Sequence, residues 1–166
     1  VYQDLALAPD LNVPCNIFLG REIIKQSFFG KLFNILDMKQ MEKISREHLA
    51  ELGIGLKSMT VPVKSLSGGE RQALAVAKAV AWCESVLIMD EPTAALGARQ
   101  QALVYSTMRA AADKDLGVIV ISHDIPKMLE VSDRIYIMRQ GEVIANLVSR
   151  ETNLQTVLSL MLTGKA

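Results

Sequence analysis

The chain has 166 residues, 50% hydrophobic and 22% charged, enough for one ordinary core and too short for two comfortable domains. Eighteen Lys+Arg offset eighteen Asp+Glu, so the net charge is +0 and only a local patch could grip nucleic acid or anionic lipid. Ten Gly, five Pro and the high apolar content exclude collagen-like and disordered classes, and charged residues interrupt every long apolar run, so a soluble globular chain is expected.

Residues 1–20 mix short apolar pieces with Pro9, Asn12, Pro14 and Asn16, which predicts loop and turns. From Glu22 to Leu52 apolar residues recur at helical spacing (Ile23, Ile24, Phe28, Leu32, Ile35, then Met41, Ile44, Leu49). Breaks at Gly30 and at Asp37-Met38-Lys39 predict two or three helices there, ending at Gly53-Ile54-Gly55. A helix over 70–82 follows, then the apolar run Val86–Met89, expected to be a buried parallel strand. A helix over 98–113 leads to a second buried strand, Val118–Ile121. A short helix at 126–131 precedes Arg134–Met138, and Gln140-Gly141-Glu142 turns the chain into Val143–Ala145 as a hairpin. The last helix covers 152–162. Helices followed by strand-helix-strand-helix predict an α/β second half with a parallel core.

Three segments carry chemistry. Asp90 and Glu91 end the first apolar strand, where α/β sheets place their ligands, and strand alternation is expected to aim the two carboxylates differently. One could organise Mg²⁺ and the other polarise a water; the plain alternative is a helix cap or a surface ion pair. Ser67-Gly68-Gly69-Glu70 precedes a helix and could offer backbone N–H groups to a phosphate, or act only as an N-cap. His123 follows the second strand and could donate to a phosphate or position a water. His48 reads as a solvated surface residue, and Cys15 and Cys83 as free thiols in a reducing compartment.

Taken together and in this order, the three segments resemble the ATP-binding subunits of ABC transporters. Leu66–Glu70 resembles the signature motif, with Glu70 where Gln is commonest; Val86–Glu91 resembles Walker B, and His123 the switch histidine. Tyr2-Gln3-Asp4 resembles the Q-loop. Asn16–Glu22, Glu91–Leu96 and Leu160–Gly164 are similar to the branch that imports simple sugars.

The resemblance implies a partial P-loop NTPase (RecA-like) α/β fold, a parallel sheet core with an inserted helical subdomain and a C-terminal hairpin and helix. Its parts would be the Q-loop region at about 1–20, the helical subdomain with the signature at about 21–68, and the rest of the core at 69–166. It also implies ATP and Mg²⁺ as ligands. Gln3 and Asp90 would hold the metal, Glu91 would be the general base, and His123 would stabilise the γ-phosphate. Ser67, Gly68, Gly69 and Glu70 would face the ATP of a second ATP-binding subunit in a head-to-tail dimer. The further partners implied are transmembrane permease subunits and, indirectly, a periplasmic or extracellular sugar-binding protein, with no nucleic acid. The expected location is the cytoplasmic face of the membrane.

Two departures stand out. Gly97 replaces the Asp that closes the loop after Walker B in the broad family. No G-x-x-x-x-G-K-[ST] occurs, and Gly53–Ser58 does not match it, so the cradle for the β-phosphate is missing. With Val1 in place of an initiator Met, this predicts a fragment of a longer ATPase that alone neither binds ATP tightly nor folds robustly. The competing expectations are an ABC-type ATPase without transport, and a catalytically dead half-module lending its signature to a partner.

Overall fold

The computed structural model describes residues 5–94 and 96–164. The chain divides after Ile121 into two compact units. The first holds α1 (Val13–Ile17), α2 (Phe28–Leu32), α3 (Met38–Glu51), α4 (Gly68–Ala81), β1 (Val86–Asp90), α5 (Ala98–Ala112) and β2 (Gly117–Ile121). The second holds α6 (Ile125–Val131), β3 (Arg134–Arg139), β4 (Glu142–Val148) and α7 (Leu154–Thr163).

Helix α1 lies where loop was expected. Its start follows local rules: Asn12 accepts the Cys15 N–H at 3.0 Å, and Pro14 falls in the first turn, where a missing N–H costs nothing. Fully buried Asn16 holds the approach to it. Its Oδ1 accepts from the Ala8 N–H at 2.7 Å, and its Nδ2 donates to the carbonyls of Ala8, Leu11 and Asn12 at 3.0, 3.2 and 3.1 Å. A buried amide so satisfied costs little and specifies one loop path. Val13 and Ile17 then pack with Met41 and Leu49 of α3 and Leu74 of α4 in the core of this unit. Trp82, at the end of α4, donates its indole N–H to the Ile17 carbonyl at 2.7 Å and meets Phe18 edge-to-face.

The helical reading of 22–37 is corrected. Ile23 and Ile24 are extended: Ile24 bridges to Leu36, the Lys25 N–H donates to the Ile35 carbonyl at 2.9 Å, and the Asp37 N–H to the Ile23 carbonyl at 2.7 Å. Two β-branched residues favour this pairing, and the helix shrinks to the five residues of α2 between the Ser27 cap and the turn at Asn34, where φ is 50°.

Strands β1 and β2 pair in parallel as expected, Val86 opposite Gly117 and Asp90 opposite Ile121. Their burial is one-sided, which corrects the expectation of two buried strands. Leu87 and Met89 are inside, while Val86, Ile88, Ile119 and Ile121 are exposed. A parallel sheet is normally covered on both faces, and among the described residues one face of this sheet is open.

In the second unit β3 and β4 form the expected antiparallel hairpin, with a register shift between Ile137 and Met138. Gln140 and Gly141 both have positive φ, 50° and 84°, the pattern of a tight turn matched to strand twist. Val157 and Leu160 of α7 pack on Ile137, and α7 ends at Gly164 in the left-handed conformation.

Candidate functional site

Helix α4 begins with a full capping box. Ser67 Oγ accepts the Glu70 N–H at 3.3 Å, while the Glu70 carboxylate accepts from the Ser67 N–H at 2.9 Å and from its hydroxyl at 2.7 Å. These two bonds, with the hydroxyl first, hold the Glu70 carboxyl below the ordinary glutamate range. The Arg71 N–H is taken by the Ser67 carbonyl. Among the described residues the N–H groups of Gly68 and Gly69 have no partner, so they remain available to an anion at the positive end of the helix. Ser67 and Gly68 are exposed and Gly69 is buried.

Gly69 has a second duty that spacing does not reveal. A Cβ there would lie 2.1 Å from Gln100 Cγ and 2.4 Å from Gln100 Cβ, so only glycine lets α5 cross the start of α4 at this distance. Gly68 is roomy by contrast, its nearest neighbour being Leu96 Cδ2 at 3.9 Å. Gly97 is the N-cap of α5 and offers no side-chain cap, where an Asp could have accepted from the first turn.

At the end of β1 the two acids part company through the backbone. The strand stops at Asp90, which is exposed. Glu91 is half-buried with φ 45°, a left-handed conformation that is costly for a residue with a Cβ. Its N–H donates to the Ile121 carbonyl at 2.9 Å, and its own carbonyl accepts from Ala94 at 3.1 Å. Glu91 Oε2 is shielded from solvent. Strand alternation, from which two different aims were expected, therefore stops short of Glu91. Buried Thr93 and Tyr105 share a hydrogen bond at 3.1 Å and anchor the loop beyond it to α5. Tyr105 carried no sequence signal, lying twelve residues from its partner in an unremarkable helical stretch.

His123 is exposed and stands between β2 and α6, in the second unit. Its carbonyl accepts from the Ile125 N–H at 3.0 Å, and the next residue, Asp124, caps α6 through the Lys127 N–H at 3.2 Å. Gln3 lies outside the described residues. Asp90 is a hard oxygen donor at a strand's carboxyl end and so fits Mg²⁺ chemically. Among the described residues no group of three or more His, Cys, Asp or Glu is placed to hold a metal without help. The structure thus brings Ser67, Gly68, Gly69 and Glu70 together at one helix start, and Asp90 with Glu91 at one strand end. Cys15 and Cys83 are free thiols.

The family model described as ABC transporter matches residues 1–94. The fructose import ATP-binding protein FrcA of Rhizobium meliloti is 41% identical over 166 residues, which is 99% of this chain and 64% of that protein. The xylose/arabinose import ATP-binding protein XylG of Sulfolobus acidocaldarius is 40% identical over 161 residues, 97% of this chain and 61% of that protein. The ribose import ATP-binding protein RbsA of Bacillus cereus is 34% identical over 161 residues, 31% of its length. The chain therefore spans less than two thirds of these curated relatives. Among solved structures, the dimeric post-hydrolysis form of the ATP-binding cassette MJ0796 with ADP and Pi superposes with TM-score 0.69. It has 23% identity and covers 90% of this chain and 62% of that one.

Proposed function

The chain belongs to the ABC transporter family, and from that premise we propose that it is part of an ATP-binding, ATP-hydrolysing subunit that powers import of a simple sugar. Its α/β fold is that of a partial ATP-binding cassette. The sugar reading is supported by the names of its relatives, import proteins for fructose, xylose or arabinose, and ribose. The observation that carries the chemistry is Glu91, a half-buried acid held at φ 45° immediately beyond the carboxyl end of β1.

In this reading Glu91 is the general base that polarises the attacking water. A strained backbone pinned to Ile121 keeps its carboxylate from relaxing, which is the preorganisation such a base needs. Asp90 and Gln3 would hold Mg²⁺, which when bound neutralises charge on the phosphates. The N–H groups of Gly68 and Gly69, with Ser67, would receive the terminal phosphate of ATP bound to a second, head-to-tail subunit, beside Glu70. His123 would stabilise the γ-phosphate of the ATP served by Asp90 and Glu91 and hold the attacking water in place. The subdomain running from about 21 to 68 would carry the signature between subunits. Transmembrane permease subunits, fed by a sugar-binding protein, would be moved by closure of the dimer at the cytoplasmic face. Among the described residues no helix is long and apolar enough to cross a membrane, in keeping with a peripheral place.

The test is Glu91→Gln in the full-length protein. ATP turnover is expected to fall by roughly 10²- to 10⁴-fold while ATP binding persists. Unchanged turnover would remove Glu91 from the reaction.

A further inference from the structure

Between Ile23 and Asp37 the chain makes a small, self-supported projection. Two main-chain bonds close its base, and a third, from the Ile35 N–H to the Gly30 carbonyl at 2.9 Å, ties its return limb to α2. Gly30 is buried against the stem, where a Cβ would meet the Lys25 carbonyl at 2.4 Å. The tip is thus a formed element, yet its apolar residues face water: Phe28 is 77% exposed, Phe29 66%, Leu32 61% and Phe33 67%. Phe28, Phe29 and Leu32 of α2 and its C-cap Phe33 lie at i, i+1, i+4 and i+5 and form one broad face. A cluster of large apolar side chains left outside marks a surface with a partner.

Charge selects the partner. Residues 23–36 contain Lys25 and Lys31 and no carboxylate. Both lysines are exposed, and among the described residues neither makes an ion pair. At the base, Glu22 accepts from the Gly20 N–H at 2.9 Å and Asp37 from the Gln40 N–H at 3.1 Å, so each acid is engaged by backbone. An apolar face flanked only by cations complements anionic headgroups over hydrocarbon: phenylalanine and leucine enter the acyl boundary while lysines reach back to the phosphates. We propose that the 23–36 tip is a lipid-contact surface that seats in the interface of an anionic bilayer. It goes beyond the catalytic reading above, because it concerns direct contact with lipid and not with membrane subunits.

The experiment is co-sedimentation of the full-length protein with phosphatidylcholine vesicles, with and without phosphatidylglycerol. The protein is expected on the anionic vesicles, released by salt. Phe28→Ser combined with Phe29→Ser and Phe33→Ser is expected to weaken partition roughly tenfold or more, since each buried apolar group adds to interfacial binding. Lys25→Gln with Lys31→Gln is expected to weaken it roughly tenfold and to flatten its salt dependence. All five positions are exposed, so melting temperature and circular dichroism of the variants should match the parent. Glu91→Gln should sediment like the parent, which separates this proposal from the catalytic one. The proposal is overturned if the parent ignores anionic vesicles, if the variants bind as the parent does, or if binding requires vesicles bearing the permease subunits. The last result would assign the tip to a protein partner.

Discussion

The turn at Ser67 and the turn at Glu91 both put acidic chemistry at the end of an element, and they are built in opposite ways. At Ser67 everything is local: cap, glycines and returning Glu70 lie within four residues, all with unstrained backbone and reciprocal bonds. At Glu91 the conformation is unfavourable in itself and is held from afar, by the Ile121 carbonyl thirty residues away and by the Thr93–Tyr105 bond. Polar groups that satisfy one another locally build a helix start with little stored strain. A group that must hold an unrelaxed position needs the rest of the fold to hold it.

The contrast can be broken most forcefully at Gly69, where the local turn meets a tertiary constraint. Gly69→Ala should lower stability by about 2 kcal/mol, because overpacking against Gln100 outweighs the better helix propensity of alanine. Chemical denaturation would check it, and Gln100→Ala should restore part of the loss; an unaffected midpoint would mean α5 yields freely. Ser67→Ala should cost about 1 kcal/mol by losing the cap and should let the Glu70 carboxyl return upward toward its ordinary value, readable by NMR titration.

Glu91→Gly sharpens the other side of the comparison. Glycine accepts positive φ, so relief of strain set against extra backbone entropy should leave the protein slightly more stable, by under about 1 kcal/mol, while turnover is lost. A clear destabilisation would show that the carboxylate supports the fold. The smallest effect is that of pH at Glu70. Its carboxyl is depressed in the folded chain, so its contribution is present above the unfolded glutamate value and is lost as pH falls through the lower, folded one. Glu70→Gln should remove that acid-side slope from a stability profile.

Much of this was legible beforehand. The hairpin announced itself through Gln140-Gly141, α4 through Ser67 and Glu70, and the β1–β2 pair through two short β-rich runs at α/β spacing. Helix α1 was legible too, since Asn12 with Pro14 is a start signal, but prolines and asparagines there read as loop. The segment from Ile23 to Leu36 misled because helical apolar spacing normally means a buried face. Here Phe28, Phe29, Leu32 and Phe33 point outward while Ile23 packs against the core, and nothing in a periodicity says which side the protein is on.

The amino-acid order by itself determined what depends on near neighbours: caps, turns, strand runs, and the Ser-Gly-Gly, Asp-Glu and His segments on which the resemblance was read. Only the tertiary structure decided that Gly69 is a packing contact, that Glu91 is left-handed, that among the described residues Ile88 and Ile119 are exposed, and that Phe28, Phe29 and Phe33 lie outside. Each of these turns on which distant atom comes near, or fails to come near, a given residue. Local propensity acts over a few residues, whereas burial and strain are set by contacts between parts of the chain far apart in sequence.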